Sequence, residues 1–184
     1  MARQLNSADS GSVEHDLLIK LFFKDSSQLG SFEAVTVDQV PEPSRSLLAH
    51  DCHMTVTVEK HHGGPVDVQV LEVRTDGDNY SRKILLTRQS DSGVVQFGIV
   101  RLNWQYFAPQ VREQIEQQKT PLGRVLINYD VLRVVKLLSL LKIECGPELA
   151  EHFGFEIGQT CYGRTALIYC DGLPAIELLE IVPS

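Results

Sequence analysis

The residues of this 184-residue chain that could do chemistry stand in a few short segments. His50-Asp51-Cys52-His53 sets two imidazoles three residues apart, a metal-ligand spacing if the segment is helical. No third ligand follows at motif spacing. The segment therefore reads as the polar end of a helix, where histidine suits the dipole, and no metal is expected. Lys119-Thr120-Pro121-Leu122-Gly123-Arg124 lacks the glycines of a phosphate loop. Its Pro-Leu-Gly is expected to form a tight turn whose backbone N–H groups can cradle a carboxylate. Arg82 (in YSRKILL) and Arg164 (in CYGRTALI) lie inside strand-like runs. A strand arginine faces solvent by default. Turned inward it needs a partner, and a carboxylate held by both arms of the guanidinium is a natural one. Glu177 and Glu180 lie three apart in the last strand, so only one can face the interior, and periodicity does not choose between them.

Several chemistries have no support. There is no GxSxG, HExxH, P-loop or GxGxxG sequence. The formal charge is −7 with no basic stripe, which argues against nucleic acid and against anionic membrane surfaces as partners. An anionic ligand would have to be captured by a few local arginines against the field of the whole chain. No apolar run reaches the ~20 residues of a membrane span, and the first residues lack the apolar core of a signal peptide. Cys52, Cys145, Cys161 and Cys170 form no CxxC pair and read as reduced thiols, so a cytoplasmic location is expected.

The elements that must position these residues follow from periodicity and punctuation. The polar segment 1–12 is expected to be a disordered tail, and 13–184 a single domain. A short helix is expected within 14–24, and a second from Ser44, read as its N-cap, to about His53. From Met54 the pattern turns to strands: MTVTVEK alternates, then VDVQVLEVR, then Tyr80 to Arg88, then VVQFGIVRLNW, joined by short turns and hence antiparallel. A helix over about 107–118 ends at Pro121. VLRVVKLLSLLKIE fits neither period well. After a short helix near 147–153, two more strands flank Asp171-Gly172, a strong hairpin signal. The order implies an α+β fold, with helices covering an antiparallel sheet of about six strands.

In order along the chain, LLAHDCHMTVTVE, YSRKILL, KTPLGRVL, YGRTALIYCDGLP and LLEIVP resemble the chorismate lyase (chorismate pyruvate-lyase) family over about 46–183. The resemblance implies a chorismate lyase-like fold with an enclosed ligand site under helical flaps, a fold shared with the effector-binding domain of a class of transcription regulators. It also implies that VLRVVKLLSLLKIE is mainly strand. By the resemblance, Arg82 grips a ligand carboxylate, Met54, Thr55, Leu122 and Gly123 line the site, and Glu180 completes it. Glu177 remains as a substitute, because the spacing around Glu180 slips by one residue. Arg164 or Arg133 would assist Arg82. The activity implied is elimination of pyruvate from chorismate to leave 4-hydroxybenzoate, without a cofactor. The alternatives are a non-catalytic, sensor-like protein binding a small aromatic carboxylate, or a related lyase giving another hydroxybenzoate. No helix-turn-helix is legible in the sequence, and the oligomeric state is not.

Overall fold

The computed structural model describes residues 10–183, so most of the expected N-terminal tail lies outside the described residues. The chain order is α1 (Ser10–Lys20), β1 (Gly30–Val35), α2 (Ser44–Leu48), α3 (Met54–His62), β2 (Val66–Asp76), β3 (Asn79–Arg88) and β4 (Val94–Asn103). Then come α4 (Pro109–Glu116), α5 (Leu122–Asn128), β5 (Arg133–Cys145), α6 (Pro147–Phe153), β6 (Thr160–Cys170) and β7 (Leu173–Val182). The strands form one antiparallel sheet in the order β1-β5-β6-β7-β4-β3-β2.

Local sequence explains the pairings. The β6–β7 hairpin turns on Asp171 (φ 51°) and Gly172 (φ 82°), both left-handed as a two-residue primed turn requires. The ambiguous segment is the long strand β5, which carries a bulge between Leu137 and Ser139. That extra residue shifts the alternation by one, which is why no single period fitted it. The seventh strand, β1, was not expected. Its sequence GSFEAV is half polar and only Gly30 is buried, as suits an edge strand pairing with one neighbour only.

Both faces of the sheet are covered, so the central strands are apolar on both sides. One face packs Leu85, Phe97, Ile99 and Ile181 against Leu18 and Ile19 of α1 and Leu149 of α6. The other lies under α3, α4 and α5, with Met54, Val58, Val111, Ile115 and Leu126 facing the sheet.

Four local expectations are corrected. MTVTVEK is helix α3, not a strand: Met54, Thr55 and Val58 share the buried side, and Gly63 (φ 70°) closes the C-terminus. Tertiary burial overrides the strand preference of its β-branched residues. Ser44 is the first residue of α2 rather than its cap, which is Pro43. His50 and His53 lie between α2 and α3, not on one helix face. Pro121 starts α5 as its N-cap, so Pro-Leu-Gly is a helix start rather than an isolated turn. No helix among the described residues is long and apolar enough to cross a membrane. All four cysteines are free, with Cys145 Sγ and Cys161 Sγ 3.3 Å apart in the core.

Candidate functional site

The face beneath α3 and α5 carries a row of inward side chains fixed by strand register. Val100 of β4 pairs with Arg82 of β3, and Gly98 with Ile84. Gly98 also pairs with Glu180 of β7, and Glu180 pairs with Arg164 of β6. Residues directly opposite in an antiparallel ladder point to the same side of the sheet. Arg82, Glu180 and Arg164 are thus brought to one face by pairing alone.

Above this face is a small, largely enclosed chamber of about 40 Å³. Its floor includes Ile84, Gly98, Val100 and Glu180, and its roof is made by Met54 and Thr55 at the start of α3 and Leu122 and Gly123 at the start of α5. A β-carbon on Gly123 would stand 3.1 Å from Thr55 Oγ1 and 3.5 Å from His53 Cβ, so glycine lets the two helix starts close over the sheet. Met54, Thr55, Leu122, Gly123, Arg164 and Glu180 all line the chamber. Arg82 is not among the lining residues; it lies behind them, with Val100, its cross-strand partner, and Ile84, next on its own face, forming the wall.

Glu177 points the other way. It is partly exposed on the opposite face and ion-pairs with Arg101. The carboxylate facing the chamber is Glu180, 6% exposed.

The two strand arginines are both wholly buried, against the solvent-facing default, and their surroundings differ completely. Arg164 is saturated. Its Nε donates to Glu180 Oε2 at 2.7 Å, Nη1 to the carbonyls of His50 (2.7 Å) and Leu48 (3.3 Å), and Nη2 to the carbonyl of Cys52 (3.0 Å). It ties segment 48–52 to the sheet and neutralises Glu180. Arg82 has no partner for Nε, Nη1 or Nη2. The Tyr80 hydroxyl is close enough to favour the guanidinium's charge but is not in hydrogen-bonding geometry. Burial pulls the Arg82 pKa down, yet a guanidinium keeps its proton in proteins. A buried, unpaired cation is costly and rare, and an anion arriving beside it would relieve that cost.

The helper role expected of Arg133 goes instead to holding His53. Arg133 Nε donates to His53 Nε2 at 2.7 Å, and its Nη1 to the Val131 carbonyl at 2.9 Å. His53 lines both the chamber and an outer groove formed with Val56, Leu132 and Val134. Burial first, then the guanidinia of Arg133 and Arg164, hold the His53 pKa at about 4. Unfolded, the imidazole takes its proton near 6.5, so between these values the unfolded chain binds more protons than the native one. Stability should therefore fall as pH is lowered from about 6.5 toward 4. Replacing His53 by Gln should flatten the profile of thermal midpoint against pH between about 6.5 and 5. An unchanged slope there would place that titration elsewhere.

Two polar chamber residues were not named as site residues from the sequence: His53, weighed as a metal ligand and read as part of a polar helix end, and Gln96. Gln96 is 3% exposed, lines the chamber, and leaves its Oε1 without a donor. Its signal was present as a lone amide inside the apolar run VVQFGIV, on a strand too apolar to have a wet face.

No protein-family model matches the chain, and no curated protein matches it significantly. Solved structures do. The ligand-binding domain of a candidate GntR-family transcriptional regulator from Bordetella bronchiseptica aligns with a TM-score of 0.51 at 18% identity, over 65% of this chain and 86% of that one. The effector domain of PhnF from Mycobacterium smegmatis gives 0.54 at 12% identity, over 72% and 88%. Gene product SA0254 from Staphylococcus aureus gives 0.53 at 10% identity, over 65% and 84%. The likeness establishes the fold: an α+β, chorismate lyase-like architecture of the kind found in regulator ligand-binding domains.

Proposed function

We propose that this domain binds a small, rigid carboxylic acid of the aromatic kind in the enclosed chamber, with Arg82 as its anchor. The observation that carries the reading is the fully buried guanidinium with three unpartnered nitrogens on the same sheet face, behind the wall residues Ile84 and Val100. The charge balance agrees. Arg164 and Glu180 cancel, and His53 is neutral at pH 7, so Arg82 leaves one positive charge for the ligand to match. The first N–H groups of α3 lack acceptors within the helix, and the helix dipole adds a favourable field for an anion there. The reading corresponds to the fold's occurrence in a domain described as ligand-binding. Titrating benzoate and 4-hydroxybenzoate into the protein by calorimetry tests it. Saturable one-to-one binding is expected, and no heat or shift in melting at millimolar acid would reject it.

A second reading, elimination of pyruvate from chorismate to give 4-hydroxybenzoate, is supported by one placement: the Glu180 carboxylate shares the chamber face with Arg82. Arg82 would balance charge as the ether bond lengthens, and Glu180 would orient the ring through its hydroxyl, with no cofactor. Chorismate carries two carboxylates, however, and this face offers one unpaired arginine among the described residues, Arg82 behind the chamber wall, which favours a monoacid as resident ligand. Incubation with chorismate separates the readings. Binding of aromatic acid without pyruvate release is the expected result. Pyruvate appearing together with 4-hydroxybenzoate would establish the lyase, and with another isomer a related lyase.

A further inference from the structure

Buried polar atoms in folded proteins nearly always find a partner, so one without a partner marks a place for something absent. On the chamber face of β3 and β4, the unpartnered groups among the described residues are the Tyr80 hydroxyl, the Arg82 guanidinium and Oε1 of Gln96. Tyr80 and Arg82 are neighbours on one face of β3 and form the cation end. Gln96 stands at the other end, opposite Leu86 and four residues along β4 from Val100, the partner of Arg82. Between the two rows the floor is Ile84 and Gly98, apolar and low.

We propose that Gln96 is a specificity-determining residue, its Oε1 accepting a hydrogen bond from a hydroxyl that the ligand carries opposite its carboxylate. The proposal rests on the reading of Arg82 as carboxylate anchor. The Gln96 amide leans back over the chamber floor, its Nε2 3.6 Å from where a β-carbon on Gly98 would stand. Glu180 is the other acceptor on this floor, but its Oε2 already receives Arg164 Nε at 2.7 Å and its charge is cancelled there. The amide oxygen of Gln96 is uncommitted, and in so apolar a run it has no use to the fold that a methionine would not serve as well.

The test is calorimetric titration of the full chain with benzoate, 4-hydroxybenzoate and 4-fluorobenzoate, the last matching the hydroxyl in size without its proton. The wild type should bind 4-hydroxybenzoate about tenfold more tightly than either of the others. Gln96→Met should keep benzoate binding and bring the three affinities together, a change of ratio that a merely structural role would not produce. Equal affinities in the wild type, or a hydroxyl preference that survives in Gln96→Met, overturn the assignment while leaving the carboxylate site standing. If none of the three acids binds the wild type, the underlying reading of Arg82 fails as well. Should Gln96→Met not fold, the wild-type comparison of hydroxyl with fluorine decides alone, and parity between them overturns the proposal.

Discussion

Replacing Arg82 by methionine should raise the thermal midpoint of the ligand-free protein and abolish its binding of aromatic acids. The two effects have one cause. The guanidinium is wholly buried with no acceptor on any nitrogen, so the free protein carries an uncompensated charge that an apolar side chain of similar length would not. Removing such a charge stabilises by about 1–3 kcal/mol, or several degrees in a domain of this size. With the anchor gone, a carboxylate entering the chamber meets no counter-charge, and affinity should fall by about 100-fold or more. Arg82→Lys should also bind poorly, because an ammonium cannot present the planar pair of donors that a carboxylate accepts. Scanning calorimetry of the free protein and titration with 4-hydroxybenzoate together check this. A variant that melts earlier and binds as before would make Arg82 a structural residue.

Arg164, three strands away on the same face, should behave in the opposite sense. Arg164→Leu strands the Glu180 carboxylate in a nearly dry site and removes donors from the carbonyls of Leu48, His50 and Cys52. Breaking a buried pair from one side costs about 3–5 kcal/mol, and the orphaned carbonyls add to it. Segment 48–52 leads into α3, so the chamber roof should loosen with it. Urea denaturation would show the loss as a lower midpoint. Glu180→Gln should be milder, because an amide oxygen still accepts from Arg164 Nε. A loss below about 1 kcal/mol in Arg164→Leu would mean that the guanidinium is free to serve a ligand instead.

These opposite expectations mark how far the sequence could be read. Arg82, Arg164 and Glu180 were recognisable as candidates because charged residues in apolar strand runs are expensive. Which of them is satisfied was not legible, because the partners of Arg164 are mainly backbone carbonyls more than 110 residues away in sequence. The choice between Glu180 and Glu177 needed only the register of β7 against β4, which places Glu180 opposite Gly98 and Glu177 opposite Arg101. The hairpin at Asp171-Gly172 was plain, since its left-handed backbone is written in the residue types. Helix α3 was hidden because Thr and Val alternate in MTVTVEK, and only its position above the sheet makes a helical face the buried one. Gln96 went unnoticed because an amide in a strand looks like a wet-face residue until both faces of the sheet are known to be covered.

The most direct measurement is a crystal structure of the protein grown with 4-hydroxybenzoate. The account predicts the acid inside the chamber, its carboxylate within about 3 Å of two nitrogens of Arg82 and the Arg164–Glu180 pair intact. An acid held in the outer groove beside Leu132, or a chamber filled while the Arg82 guanidinium stays unpaired, would contradict it.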